Sequence, residues 1–268
     1  MAKVSFTQTL SKEYENLFNG CLVRPERMDA VESIIAKLQE NKDRYQNVGG
    51  NLSIPWFFVA VIHNMESGLN FNRHLHNGDP LSKRTVNVPA GRPKKGKPPF
   101  TWEESASDAL TMKGLERKTD WSLAGTLYQL ERYNGWGYRL YHSHVLSPYL
   151  WSFSNHYRSG KYISDGTWSD VAVSKQCGAA VLLRRMAELD QIDFPDQPGL
   201  IHDAALLICH YAMTKSEDQA VVTSVEELQR WLNTFPGIFV KIDGIPGNRT
   251  SEAYKRVTGF YLPGDPRA

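Results

Sequence analysis

The sequence predicts a mainly α-helical fold followed by a small helical C-terminal module. Apolar residues recur at three- and four-residue spacings over most of the 268 residues, which is typical of amphipathic helices. Proline and glycine interrupt this pattern often enough to separate helices of ordinary length. A polar stretch at 214–219 then precedes a last segment with its own pattern. We therefore expect a large domain over 1–213 and a small module over 220–268.

Each predicted helix has a local signal. Residues 12–47 indicate two amphipathic helices broken at Pro25, with Gly49 and Gly50 ending the unit. A third helix should begin at Pro55, because proline suits a first helical turn, and its apolar stripe makes it the buried central helix. Further helices are predicted over 103–112, 123–132, 173–189, 201–213 and 225–232, and from Thr250, the expected N-cap, to Val257.

The segment 77–99 has a different composition, rich in glycine, proline, lysine and arginine. Alternating residues at 85–88 and 100–102 predict two short strands, or else an extended loop with a basic tip at 92–97. The alternative to a functional role for this tip is a solvated loop that its charges keep soluble.

Composition and charge exclude several classes of protein. No run reaches the ~18 to 20 apolar residues of a membrane span. The 31 basic and 29 acidic side chains create no overall field for nucleic acid. The three cysteines form no Cys-x-x-Cys pair, so neither a disulfide framework nor a zinc knuckle is expected. Residues 1–19 lack the features of a secretory signal, so we expect cytoplasmic synthesis.

Glu66 is the main catalytic candidate. It follows Ile62 by four residues and Phe58 by eight, so it projects from the apolar stripe of the central helix. Burial and the negative end of the helix dipole both raise the pKa of a carboxyl group in this position. A carboxylic acid that keeps its proton near neutral pH can act as the general acid in glycoside cleavage. The alternative is a structural glutamate hydrogen-bonded at a helix end.

Two motifs resemble the lysozyme and lytic transglycosylase superfamily. The segment Met-Glu-Ser-Gly-Leu-Asn-Phe at 65–71 resembles its Glu-Ser motif, in which a helix ends in the catalytic glutamate. The segment Leu-Glu-Arg-Tyr-Asn-Gly-Trp-Gly at 130–137 is similar to its Tyr-Asn-Gly segment, which lines the saccharide groove. The wider block, roughly 14–189, is similar to a bacterial and phage group of lysozyme-family peptidoglycan hydrolases.

The resemblance implies a lysozyme-like helical domain with a small β-hairpin or loop insertion. It implies cleavage of the β-1,4 MurNAc–GlcNAc strand of peptidoglycan without a cofactor, as in an endolysin-type lysis enzyme. Glu66 would be the general acid, and the substrate-binding residues would be Ser67, Tyr133, Asn134 and Trp136. We expect a monomer that acts on the cell wall after release from the cytoplasm. Other aromatic residues of the 133–162 stretch are expected to be packing residues.

The second catalytic group is left open by the sequence. No Gly-Leu-Met-Gln segment follows Glu66, which is a departure from the transglycosylase pattern. An inverting hydrolase needs a second carboxylate to activate water, whereas a transglycosylase can use the 6-hydroxyl of the sugar. The candidates are Asp79, Glu103 and Glu104. Their structural alternatives are an Asp-Pro turn for the first and favourable first-turn helix charges for the others.

Histidine pairs suggest a rival function. His74 and His76 with Asp79 could form a zinc site of a cell-wall amidase or peptidase. A second such group is formed by His142, His144 and His156. Neither has a helical His-Glu-x-x-His pattern, so we expect no metal. A non-catalytic peptidoglycan-binding protein is the other alternative.

The C-terminal module also carries a resemblance. Residues 228–232 and 240–250 resemble the peptidoglycan-binding domain, with its Asp-Gly-x-x-Gly-x-x-Thr signature between two helices. The segment covers only about 40 residues, so the first helix of the usual three is either missing or supplied by 201–213. The implied partner is the glycan strand of peptidoglycan, and the alternative is a purely structural appendage.

Overall fold

The computed structural model describes residues 4–116, 119–164, 166–189, 191–195 and 209–268, and it confirms the mainly helical class. Two short strands pair antiparallel, β1 (Lys161–Ser164) and β2 (Thr167–Ser169). The helices are α1 (Gln8–Asn19), α2 (Met28–Glu40), α3 (Lys42–Leu52), α4 (Trp56–Ser67), α5 (Trp102–Met112), α6 (Leu123–Asn134), α7 (Gly137–Tyr141), α8 (Pro148–Trp151), α9 (Ala179–Glu188), α10 (Gln219–Leu232) and α11 (Asn248–Thr258).

The N-terminal region contains three α-helices where two were predicted. Helix α2 ends at Glu40, and α3 begins at Lys42, so Asn41 alone separates them. The prediction that Gly49 and Gly50 end this unit is wrong, because α3 continues through both to Leu52. Gly49 instead permits a close approach, since a Cβ atom there would lie 2.4 Å from the carbonyl oxygen of Ile54.

Helix α4 is the buried central helix that the sequence predicts. Every residue from Phe57 to Asn64 is buried, and α3 packs against both α4 and α5. Burying each large apolar side chain contributes about 1.5–3 kcal/mol. The helix ends where Gly68 takes a left-handed conformation, with φ of 57°, and donates its N–H to the carbonyls of Asn64 and His63. Glu66 therefore lies in the last turn, as expected.

The predicted strands at 85–88 and 100–102 are absent, and the extended-loop alternative is correct. Within this loop, Thr85 N donates to Arg92 O at 2.8 Å, and Gly91 N donates to Thr85 O at 2.8 Å. Proline residues at 89, 93, 98 and 99 lack the N–H group that a strand ladder requires. The two-stranded sheet lies instead at 161–169, where the aromatic stretch 133–162 ends.

The helix predicted over 173–189 begins only at Ala179, after an irregular segment. Gly178, just before it, packs so closely on Leu150 that a Cβ atom would lie 2.2 Å from the Leu150 carbonyl oxygen. Tertiary packing of the preceding residues therefore overrides the helical pattern there.

The chain divides into two compact units. The first comprises the described residues of Met1–Ser11 and Cys21–Met186, and the second comprises Lys12–Gly20 and the described residues of Ala187–Ala268. This border differs from the predicted border at 213–220. Of the helix predicted over 201–213, residues 201–208 lie outside the described residues, and 209–213 are not helical.

The second unit has its own apolar core, in which α10 packs against α11. The core residues are Cys209, Val225, Leu228, Leu232, Ile238, Val240, Ala253, Tyr254, Val257 and Leu262. Thr250 is not the N-cap of the last helix, contrary to prediction, because α11 begins at Asn248 with Gly247 as its N-cap. The Thr250 hydroxyl instead accepts a hydrogen bond from Gln229 and donates one to Ile245 O.

Within the described residues, no helix is long and apolar enough to cross a membrane. Cys21, Cys177 and Cys209 are buried, and none of the three forms a disulfide.

Candidate active site

The candidate site is centred on the carboxyl group of Glu66, in the last turn of α4. The side chain is partly buried, and its Oε1 accepts a hydrogen bond from the Tyr149 hydroxyl at 2.9 Å. Burial raises the pKa of Glu66, while the Tyr149 hydrogen bond and the positive charge of Lys113 act in the opposite direction with smaller effect. The carboxyl group thus holds its proton more strongly than an ordinary glutamate does.

Three helices supply the groups around Glu66. Tyr149 lies in α8, which packs against α6, and Tyr133 is a buried residue of α6. Lys113 follows α5, and its ammonium group donates to Tyr133 O at 3.1 Å. The same ammonium group lies 4.3 Å from the centre of the Tyr133 ring. Burial and the charge of Glu66 raise the pKa of Tyr133, so its phenol stays neutral.

Gln176 fixes the end of the helix that carries Glu66. Its Nε2 donates to Met65 O at 2.9 Å and to Asn64 O at 3.1 Å. The last carbonyls of an α-helix have no partner within the helix, so a side-chain amide can satisfy them. Gln176 therefore holds the last turn of α4 in place from a segment far along the chain.

A cleft of about 550 Å³ lies beside the last turn of α4. It is bordered by Tyr149, the hydrogen-bond partner of Glu66, and by Met65, its neighbour in sequence. Glu66 itself is not among the residues that line it. The lining is mostly aromatic, amide and hydroxyl groups with several glycines: Met65, Asn134, Gly135, Gly137, Tyr138, Pro148, Tyr149, Lys161, Tyr162, Ser164, Gly166, Ser174 and Gln176.

The four predicted substrate-binding residues do not all line the cleft. Asn134 is exposed and lines the cleft. Tyr133 is buried beside Glu66. The Ser67 hydroxyl donates back to His63 O at 3.3 Å. Trp136 is buried, with its ring centre 5.1 Å from that of Tyr128, so its position is that of a packing residue.

Asp79 organises its own loop. Its carboxylate accepts hydrogen bonds from the backbone N–H groups of Val86 and Asn87, at 2.8 and 3.0 Å. The side-chain amides of Asn87 and Asn77 donate to it at 2.7 and 3.1 Å. The backbone hydrogen bonds, with the side-chain ones, lower the pKa of Asp79 to about 2. The group is therefore ionised at neutral pH and fully engaged in the loop.

The two glutamates at the start of α5 also have local partners. Glu103 Oε1 accepts from Arg44 Nε at 2.6 Å. Although burial acts to raise its pKa, the hydrogen bond and charge of Arg44 bring it below the ordinary value. Glu104 and Thr101 form a capping box, in which each side chain bonds the backbone N–H of the other. These contacts match the structural alternative stated for this pair.

The histidine pairs are held by protein groups. His74 contacts Ser105 Oγ and Lys83 O, both at 2.8 Å. His76 Nε2 lies 2.8 Å from Asp108 Oδ2. Further along the chain, the imidazole of His142 stacks on Trp168 with ring centres 3.5 Å apart. Within the described part of the chain, no group of three or more His, Cys, Asp or Glu residues could hold a metal ion.

Three residues of this site were not predicted from the sequence. Tyr149 was expected to be a packing residue, although a phenol in an aromatic, asparagine-rich stretch is a usable signal. Lys113 and Gln176 lie in segments without a motif, and only tertiary packing brings them to the end of α4.

Comparison with known proteins adds no relative, since no protein-family model, curated protein or solved structure matches this chain.

Proposed function

We propose that this protein is a peptidoglycan hydrolase that cleaves the β-1,4 bond between MurNAc and GlcNAc, with Glu66 as general acid. The observation that carries the proposal is the environment of Glu66. Its carboxyl group lies at the end of the central helix, where burial raises its pKa, and it is held by a phenol that borders a cleft. The resemblance of the Glu-Ser and Tyr-Asn-Gly segments to the lysozyme superfamily supports the same assignment.

The proposed chemistry begins with proton transfer from Glu66 to the glycosidic oxygen as the bond to the leaving sugar breaks. A raised pKa lets a carboxyl group keep its proton at higher pH than an ordinary glutamate does, which favours the role of general acid. Once the proton has left, the Tyr149 hydroxyl and the positive charge of Lys113 stabilise the carboxylate. Tyr149 and Gln176 act as positioning residues, the first on the carboxyl group and the second on its helix turn.

The lining of the cleft supports a sugar ligand. The rings of Tyr138 and Tyr162 offer flat apolar surfaces, and the amides of Asn134 and Gln176 offer hydrogen-bond donors and acceptors. Sugars present apolar faces and hydroxyl edges, so this mixture of side chains matches their chemistry. A volume of about 550 Å³ is within the ordinary range for small-molecule sites.

Asp79 and Glu103 are not assigned as the base that activates water, because both carboxylates are occupied by neighbouring groups. The nucleophile is identified from the products. Reducing MurNAc ends identify water, whereas 1,6-anhydro ends identify the 6-hydroxyl of the sugar.

The decisive experiment replaces Glu66 by Gln, which preserves the shape of the side chain and removes the acid. Soluble fragments released from purified peptidoglycan should fall by about 10²- to 10⁴-fold. The matched control is Glu26→Gln, an exposed glutamate in the same unit, which should keep wild-type activity. Retained activity in the folded Glu66→Gln variant refutes the assignment.

Two further outcomes distinguish the alternatives. Loss of wild-type activity on treatment with a chelator would indicate the zinc amidase or peptidase instead. Sedimentation with cell walls without any released fragment would indicate a non-catalytic binding protein. We propose that the second unit attaches the enzyme to the wall. The protein should therefore sediment with cell walls whether or not the variant is active.

A further inference from the structure

The described residues that line the cleft beside Glu66 carry an unbalanced charge. Of the described residues that line it, Lys161 alone has a charged side chain. Burial raises the pKa of Glu66, which is next in sequence to the cleft-lining Met65, so Glu66 contributes less negative charge than an ordinary glutamate does. The described part of the cleft is therefore electropositive, and an anionic group on a bound ligand is favoured there.

Lys161 lies on a well-fixed strand. It is the first residue of β1 and pairs with Ser169 of β2. The preceding Gly160 has φ of 95°, and a Cβ atom there would lie 2.9 Å from Val145 and 3.1 Å from Trp168. The strand is thus packed tightly where Lys161 begins it, so the backbone that carries the ammonium group is held in position.

The next residue along the strand ties β1 to the wall of the cleft. Tyr162 N donates to the Tyr138 hydroxyl at 3.4 Å, and the two rings meet edge to face with centres 5.5 Å apart. Both rings line the cleft together with Lys161. A sugar ring placed against either tyrosine would therefore have the lysine side chain within reach.

Two other cations of the same unit are paired with carboxylates. Arg44 pairs with Glu103 at 2.6 Å, and Arg139 pairs with Glu131 at 2.9 Å. Among the described residues, none forms an ion pair with Lys161. Its charge is therefore available to a ligand.

We propose that Lys161 binds a carboxylate of the substrate and thereby selects muramic-acid-containing glycan over an uncharged β-1,4 N-acetylglucosamine polymer. This inference rests on the proposed function. The carboxylate has two sources in peptidoglycan: the lactyl group of MurNAc where the peptide has been removed, and the acidic residues of the stem peptide where it is present. Both present the same chemistry to the ammonium group.

The effect should be moderate, because the cleft is open to solvent. We expect Lys161→Met to lower kcat/KM on a carboxylate-bearing substrate by about tenfold, which corresponds to about 1.4 kcal/mol. The loss should appear mainly in KM, since the contact is present in the bound ground state. It should shrink as salt is added, because counterions screen the attraction. Lys161→Arg keeps the charge and should retain most of the activity.

The test uses the full chain and three forms of one glycan. The first is peptidoglycan with intact stem peptides, and the second is the same glycan stripped of peptide so that the lactyl carboxylates are free. In the third, both kinds of carboxylate have been converted to neutral amides. Lys37→Met, an exposed lysine of α2, is the matched control. Thermal unfolding verifies that each variant folds.

A selective loss on the first or second form, with none on the amidated form, supports the proposal and identifies which carboxylate is bound. Equal loss on all three forms overturns it, because Lys161 would then only shape the cleft. No loss on any form, or failure of Lys161→Arg to restore activity, also overturns it. If the wild-type protein cleaves none of the three, the proposed function itself fails, a result distinct from these.

Discussion

We expect the turn at 243–250 in the C-terminal unit to depend on Gln229 more than on any other side chain. It is almost completely buried in α10, and its amide has five polar contacts within hydrogen-bond distance in the Asp-Gly-x-x-Gly-x-x-Thr segment. The oxygen accepts from the N–H groups of Asp243 and Gly244 at 2.9 and 3.0 Å. The nitrogen has two hydrogens, which are shared among three acceptors at 3.0 to 3.1 Å: Asp243 Oδ1, Ile245 O and Thr250 Oγ1.

Replacing Gln229 by Leu keeps the volume of the side chain and removes all five of these contacts. The Gly244 N–H is buried and has no access to water, so losing its acceptor costs about 1–3 kcal/mol. The hydroxyl of Thr250 and the carbonyl of Ile245 still bond each other, so their loss is small. The partly buried groups of Asp243 add about 1 kcal/mol. The expected destabilisation is about 2–4 kcal/mol.

Amide hydrogen exchange measures this destabilisation locally in the full chain, and the measurement does not require both units to unfold together. The Asp243 and Gly244 amides should exchange about 30-fold to several-hundred-fold faster in Gln229→Leu. Gln219→Leu, an exposed position at the start of the same helix, is the control and should change exchange by less than about twofold. If the Gly244 amide is as well protected in Gln229→Leu as in the wild type, the Gln229 side chain does not stabilise this turn.

Three other predictions concern the first unit. Because burial raises the folded-state pKa of Glu66, the stability that this carboxyl group contributes is complete below its ordinary pKa of 4.5 and is lost as pH rises through the raised value. Urea unfolding should therefore show Glu66→Gln gaining stability relative to wild type over that window, and a constant difference from pH 3 to 8 would contradict it. Tyr149→Phe removes a hydrogen bond that holds the Glu66 pKa down, so the alkaline limb of kcat/KM should move to higher pH; an unmoved limb would exclude Glu66 as the titrating acid. Neutralising the three exposed lysines of the basic tip at 92–97, which are Lys94, Lys95 and Lys97, should weaken wall binding at low salt and leave it unchanged at high salt in a sedimentation assay. An equal loss at both salt concentrations would mean that the tip has a structural role.

Prediction from sequence succeeded where neighbouring residues decide the outcome. The central helix α4 was placed correctly because Pro55, an apolar run and Gly68 all act within one segment. The same periodicity placed Glu66 in its last turn and on its buried side, which is the physical origin of the raised pKa. Prediction from local signals was wrong at Gly49, where the glycine permits close packing and does not end the helix. It was also wrong for the strands at 85–88 and 100–102, because the prolines between them lack the N–H groups that pair strands.

Tertiary structure alone decided what surrounds the carboxyl group and which residues hold the turns. Tyr149, Lys113 and Gln176 come from three separate segments, and no spacing along the chain links them to Glu66. Gln229 likewise meets Thr250 only because α10 packs against α11. Helices and turns depend on interactions between residues that are close in sequence, so the sequence by itself determined the main helices and the position of Glu66 in α4. Burial, ion pairing and hydrogen-bond partners depend on which faces meet across the fold, and these set the chemistry of the site.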